Sequence, residues 1–391
     1  MTDESAYMAA LMAAETALAG TPGQRSAFAW RQHTRASGLP GADLPLRVGG
    51  GGCSASVMMP LFAYCGRLAL DLRDVPGAGY SRILAEARTR NFDEVLRAVA
   101  TGAAYVAVAI TEDEAGSDLH GLTTEARPTP DGGYVLNGQK RFVARLHQAN
   151  HVVVFAQALR PGSERTLTAF LLPIESPGLR ILDLETTGLR GASFGGLALE
   201  DVCVPLRARV GGEGEGFQLF VRHFTFWRTA MAAAAIGCGR GALEQAVVWL
   251  RQRQAFGGPI GRFTHLQQAL AEHVARLHMA WLLVQSTAAR IDARQPAFAD
   301  AAMAKAEATE AALAATDWAM RVHGARSHTT LLDLEQRLRD LQSLRIAGGA
   351  TDVLRSQVAR AVLGDDLYEA ALGRGRPSAG NAEPLISRRF W

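Results

Sequence analysis

Residues Ile110-Thr111-Glu112-Asp113-Glu114-Ala115-Gly116-Ser117-Asp118 lead from an apolar run into a turn of small side chains and hydroxyls. The backbone N–H groups of such a turn can cradle an anion or the polar edge of a planar ring. An acidic surface loop is the plainer alternative for the same residues. The chain has no G-x-G-x-x-G placed after a strand, no P-loop and no G-x-S-x-G elbow. Rossmann, kinase and hydrolase chemistry are therefore not first choices. Cys53, Cys65, Cys203 and Cys238 show neither C-x-x-C spacing nor a paired histidine motif, so no metal site and no disulfide framework are expected.

A turn of this kind needs a folded frame. The 391 residues are 48% hydrophobic and 20% charged, enough apolar material for a sizeable core, and their number suggests two or three domains. The formal net charge is +3, from 41 basic and 38 acidic residues. No block of like charge forms an arm for nucleic acid or a membrane surface, so neither partner is expected. No apolar run approaches the ~18 residues that span a bilayer. The opening Met-Thr-Asp-Glu-Ser has no signal-peptide character, and a cytoplasmic location is expected.

Hydrophobic periodicity divides the chain in three. Spacings of three and four predict helices over 7–18, 58–70 and 81–99, with the glycines at 49–52 in a loop. Between 105 and 205 short Val, Ile, Phe and Leu runs are punctuated by Gly, Asn and Pro, which indicates a β domain. Strands are expected at 134–136, 152–156, 167–172, 197–199 and 202–204. Asn137-Gly138 is expected to form a tight hairpin turn. Helical periodicity returns over 217–255, 264–293, 297–322, 331–342 and 350–362, as in an antiparallel bundle. The expected class is α+β: an N-terminal helical domain (1–104), a central β domain (105–208), a C-terminal helical bundle (209–372) and a tail (373–391).

Taken together, these segments resemble the acyl-CoA dehydrogenase family. Residues 111–118 are similar to its T-E-x-x-A-G-S-D signature. Gly133-Tyr134-Val135-Leu136-Asn137-Gly138-Gln139-Lys140 is similar to Y-x-x-N-G-x-K, and Arg253-Gln254-Ala255-Phe256-Gly257-Gly258-Pro259-Ile260 to R-x-x-F-G-x-P-I. Leu270-Ala271-Glu272, Met303-Ala304-Lys305, Val322-His323-Gly324 and Arg339-Asp340 follow in the family's order. The resemblance implies a four-helix C-terminal bundle, a homodimer or homotetramer, and FAD. It places Ile110, Thr111 and Gly116 at the flavin, Ser117 between flavin and acyl thioester, and Phe142 with Val143 beside the isoalloxazine. Arg253, Phe256 and Gly324 would meet the FAD of a neighbouring subunit, Arg253 through its phosphates. Phe224, Trp227, Arg228 and Gly348 would line the substrate side. Arg228 would hold the pantetheine arm or the catalytic loop, with an ordinary helix–helix salt bridge as its alternative. His323 is expected to pack.

The sequence departs from the family at the base. Counting back from Arg355 puts Gly348 where the glutamate of an E-G-T segment belongs, and Trp227 stands where some relatives carry it just before an arginine. No catalytic residue is assigned. Ala144 replaces a threonine expected near flavin N5, Thr225 an aspartate, and Gly324-Ala325-Arg326-Ser327 the G-G-x-G loop. The resemblance thus implies an FAD-dependent oxidoreductase of specialised, natural-product type. It would act on an acyl or aminoacyl thioester, on CoA or a carrier protein, or on a related β-keto acid, without the glutamate. Decarboxylation or O2-dependent monooxygenation are the coupled steps open to it. Two alternatives stand beside this: conventional α,β-desaturation with a base from Asp352 or a substrate carboxylate, and a non-catalytic scaffold. Restoring Gly348→Glu is expected to create conventional desaturation if the pocket is otherwise intact.

Overall fold

Alanine, leucine and methionine at helical spacing wind the first hundred residues into α1 (Asp3–Leu18), α2 (Ala27–His33), α3 (Ala55–Leu68), α4 (Ile83–Glu86) and α5 (Asp93–Ala100). The computed structural model describes residues 3–87, 89–159 and 165–364. Ser54 caps α3 by accepting from the Val57 N–H. The single helix expected over 81–99 is two short ones. Thr89 Oγ1 accepts from the Asn91 N–H between them, a local bond that competes with helix continuation.

The β domain contains β1 (Val106–Ala109), β2 (Glu125–Pro128), β3 (Tyr134–Val143), β4 (His151–Ala158), β5 (Thr166–Pro173), β6 (Leu179–Asp183) and β7 (Gly195–Val204). Their order is β1-β4-β2-β3-β7-β6, with β5 also on β4. One edge of β4 pairs antiparallel with all of β5. The other edge takes β1 in parallel over 151–154 and β2 in parallel at 157–158. Between these two pairings the chain leaves the sheet, and that excursion is the 110–124 segment singled out above. Alternation along β4 sends Val152, Val154 and Ala156 into the sheet's own core. Val153 and Phe155 face the core shared with the helices.

Asn137-Gly138 does not turn the chain. β3 runs straight through it with a shift in register against β7. Asn137 is held by Asp201, whose carboxylate accepts from Nδ2 and whose N–H donates to Oδ1, both at 2.9 Å. The positive φ that Asn-Gly supplies is used in a bulge, with Gly138 at φ 143° and Asp201 at φ 49°. The strands expected at 197–199 and 202–204 are consequently one bulged strand, β7.

The C-terminal part consists of α6 (Gly216–Gln252), a two-residue ribbon of β8 (Gln254–Ala255) and β9 (Gly258–Pro259), α7 (Thr264–Asp292), α8 (Phe298–His323), α9 (Leu334–Leu344) and α10 (Thr351–Leu363). α6 is buried on every side over residues 230–239 and packs on α3, α7 and α8. Small residues make this possible. A Cβ on Gly237 would lie 1.9 Å from the Ala63 carbonyl oxygen, and one on Gly66 would lie 2.0 Å from that of Ala234. α3 and α6 thus touch backbone to backbone. No described helix is long and apolar enough to cross a membrane. The expected tail, 373–391, lies outside the described residues.

Candidate active site

The 110–118 turn is anchored from beneath. Glu112 is buried and accepts from the N–H and hydroxyl of both Thr123 and Thr124, at 2.6–2.9 Å. The same carboxylate takes a 2.7 Å bond from Lys140 Nζ, which is also buried and donates at 2.9 Å to the Ile110 carbonyl. The Arg141 N–H donates to the Thr111 carbonyl at 2.8 Å. Burial alone would raise the Glu112 carboxyl, but the Lys140 charge and these bonds outweigh it and hold it well below the usual carboxylate range. Burial pulls Lys140 down, with Glu112 opposing. Glu112 is therefore a fastening for the turn and is not free to exchange protons with a substrate.

Above this anchor Gly116 and Ser117 are exposed, while Ile110 is buried. Val143 is buried in the sheet core and Phe142 stands out of it, 58% exposed with φ 58°. An exposed aromatic ring on a left-handed backbone is a costly arrangement that functional sites tolerate. The structure thus gathers Ile110, Thr111, Gly116, Ser117, Phe142 and Val143 at one end of β1 and β3, with Val143 beneath the surface.

The second group lies on α6 and the loop before α10. Trp227 is buried, 4.6 Å from the Tyr80 ring and edge-on to Phe62. Phe224 stacks on Phe220 at 4.4 Å. His223 is wholly buried with neither ring nitrogen bonded; burial first, then the charge of Arg82, pushes it down to about 3, so it stays neutral. Arg228 forms no salt bridge among the described residues. Its Nε donates to the Gly348 carbonyl at 2.7 Å and its Nη1 to Gln357 Oε1 at 2.9 Å. Lys305 Nζ donates to the neighbouring Gly349 carbonyl at 2.8 Å. Two buried cations therefore hold adjacent carbonyls of the loop where the glutamate was sought.

A side chain at this point of the loop would be strained by the backbone and would have to displace the flexible end of Met231. Gly348 has φ 70°, and a Cβ there would sit 2.1 Å from Met231 Cε. Met231 fills the position. Gly348→Glu alone is therefore expected to lower stability by about 1–3 kcal/mol and to leave plain thioester desaturation undetected. Gly348→Glu with Met231→Ala keeps the backbone strain but removes the contact with Met231, and should gain desaturation, as product formation from butyryl-CoA would reveal. Asp352, the other acid considered, is exposed on the first turn of α10, and its charge acts on Arg345.

The third group is remote. Arg253 caps α6, 25 residues beyond Arg228 on the same helix, about 38 Å at roughly 1.5 Å per residue. Arg253 and Gly324 are exposed, and Phe256 is 88% exposed with φ 52°. Arg253 is thus at the far end of α6 from the Arg228 site of its own chain. A cavity of about 630 Å³ opens near this end, lined among others by Trp249, His323 and Arg326. His323 Nδ1 is 2.8 Å from the Ala319 carbonyl and its ring stacks on Trp249. Among the described residues no cluster of three or more His, Cys, Asp or Glu could hold a metal ion.

A bulged sheet between two helical blocks, with an exposed turn and aromatic on the sheet and a buried cationic loop in the second helical block, defines a flavoprotein-dehydrogenase class of architecture. The comparisons define it further. Residues 107–202 match the acyl-CoA dehydrogenase middle domain and 214–363 the acyl-CoA dehydrogenase C-terminal domain. Benzylmalonyl-CoA dehydrogenase of Aromatoleum aromaticum is 32% identical over 83% of this chain and 87% of its own length. The butyryl-CoA dehydrogenase of Megasphaera elsdenii superposes with a TM-score of 0.81 at 25% identity, over 92% of this chain and 98% of that one. The prolyl acyl carrier protein oxidase AnaB superposes with a TM-score of 0.80 at 25% identity and the same coverage. The chain belongs to the acyl-CoA dehydrogenase family, a family of FAD flavoproteins.

Lys305, Gln357, Met231 and Tyr80 were not among the site residues picked from sequence. Lys305 carried a signal, as part of the family-like Met303-Ala304-Lys305 segment and as one of only two lysines, Lys140 and Lys305, both of which are buried.

Proposed function

We propose that this chain is an FAD-dependent oxidoreductase acting on an acyl or aminoacyl thioester, and that it works without the family's loop glutamate. The observation that carries the second part is Gly348 at φ 70° with Met231 Cε in the place of its side chain. FAD, when bound, supplies a hydride acceptor. The residues present fit it. Phe142 offers an exposed aromatic face, and the turn at Gly116 and Ser117 offers backbone and hydroxyl groups, on a backbone fixed by Glu112 and Lys140. Arg253 is an exposed guanidinium with no hydrogen bond or ion pair among the described residues, suited to a diphosphate.

In this reading Arg228 and Lys305 keep the 345–351 loop in place, and Trp227 with Tyr80 limits the length of the acyl group. The 38 Å separation of Arg253 from Arg228 favours an oligomer in which each cofactor site takes Arg253, Phe256 and Gly324 from a second copy. The carrier is CoA or an acyl carrier protein; the likeness to AnaB supports the latter.

The test is the visible spectrum of the purified protein, followed by release and identification of the bound cofactor. About one FAD per chain in an oligomer supports the reading. A colourless protein that FAD cannot reconstitute overturns it and leaves a scaffold.

A further inference from the structure

The loop before α10 is electrostatically unbalanced. Arg228 and Lys305 are 1% and 0% exposed, and neither forms an ion pair among the described residues. The two carboxylates closest to the loop act mainly on a third cation: Glu310 takes bonds from Arg345 at 2.8 and 2.5 Å, and Asp352 acts on Arg345 through space. Lys305 feels Glu310 only through space. Burying a cation without a counter-charge is costly. Burial pulls Arg228 down to about 9; burial and then Arg228 itself pull Lys305 down to about 7.

The groups that bond or stack on Arg228 are neutral. Nε and Nη1 meet a carbonyl and an amide, and the guanidinium lies 4.6 Å from the Phe298 ring centre and 5.9 Å from that of Phe220. Nη2 makes no hydrogen bond among the described residues. It points at the loop, 3.2 Å from where a Cβ on Gly349 would lie. The two loop residues beside it, Gly348 and Gly349, carry no side chain. A planar guanidinium with an open nitrogen in an apolar setting is a receptor for one chemistry above others, a carboxylate.

We propose that Arg228, backed by Lys305, receives a carboxylate carried on the acyl group of the substrate, so that the substrate brings the negative charge the loop lacks. This rests on the acyl-thioester reading and narrows it to carboxylated acyl groups. The carboxylate takes a charge-assisted bond from Nη2, and Lys305, behind the Gly349 carbonyl, adds attraction through space. Two uncompensated cations beside a glycine loop have a use on this account: they disfavour plain acyl chains, which leave the cations buried and unpaired.

Succinyl-CoA and butyryl-CoA differ by a carboxylate in place of a terminal methyl group. Their dissociation constants are measured by perturbation of the flavin band of the FAD-loaded full chain. Succinyl-CoA is expected to bind about tenfold to a hundredfold more tightly. Arg228→Gln should bring it down to the butyryl-CoA level, and Lys305→Met should reduce the preference in part. Equal binding of the two thioesters by the unaltered protein, which needs no variant to fold, overturns the proposal while leaving the thioester reading intact. So does a preference that survives Arg228→Gln. Failure of both thioesters to bind overturns the thioester reading as well.

Discussion

Glu112→Gln is expected to lower the unfolding free energy by about 3–5 kcal/mol at pH 7, because it leaves the buried Lys140 without its partner, at the cost of either an unpaired charge or a forced deprotonation. It also weakens four bonds that fasten residues 123 and 124 beneath the cofactor turn. The pH dependence separates this cause from simple mispacking. The folded-state pKa of Glu112 lies below its ordinary value of 4.5, so its contribution is complete above that value and is lost as pH falls through the folded one. Equilibrium denaturation should therefore show a wide gap between parent and variant at pH 7 that narrows steadily below pH 4.5. A gap independent of pH would remove the ion pair from the explanation. Because we propose that this turn faces the flavin, FAD affinity should fall with stability.

The second large effect belongs to Arg145. It follows β3 with φ 63° and reaches back to the N-terminal helical segment. Nε and Nη2 bond the two carboxylate oxygens of Asp74 at 3.0 and 2.5 Å, while Nη1 bonds the Gly191 carbonyl at 2.7 Å. Both side chains are 1% exposed. The Tyr105 hydroxyl donates to the same carboxylate at 2.7 Å. Burial works against the ionised form of Asp74, but the charges of Arg145 and Arg73 prevail and hold it far below the usual range. Arg145→Met should cost about 3–5 kcal/mol by stranding Asp74. Combining it with Asp74→Asn should cost less than the two single changes added together, by about 0.5–3 kcal/mol. Strict additivity, read from denaturation of all four proteins, would show that the two residues act separately.

The order of helical, β and helical segments was legible because hydrophobic period depends on each element's own residues. The long helices α6, α7 and α8 lie within a few residues of the expected spans, since alanine-rich periodicity runs uninterrupted through them. What escaped was set by partners distant in sequence. Asn137-Gly138 carries a hairpin signal, and only its pairing with Asp201, on a strand not adjacent in sequence, turns it into a bulge. Glu112 reads as one acid among three in a surface loop until Lys140 and two threonines converge on it. Gly348 is picked out in sequence by the family resemblance, counting back from Arg355. That Met231 occupies the space, and that Arg228 and Lys305 grip the loop from two different helices, depends on how α6, α8 and the loop meet. No local pattern contains that.

The absence of a base is the claim on which the proposed chemistry turns. Its most direct test is deuterium wash-in at the α carbon of butyryl-CoA, with the FAD-loaded protein in heavy water under anaerobic conditions. An enzyme with a poised carboxylate exchanges this position repeatedly, whether or not hydride transfer follows. For this chain, binding should perturb the flavin band while deuterium incorporation stays at the rate of buffer alone. Incorporation well above that rate would mean that a base from elsewhere in the fold reaches the α carbon, and the account of a glutamate-free site would be wrong.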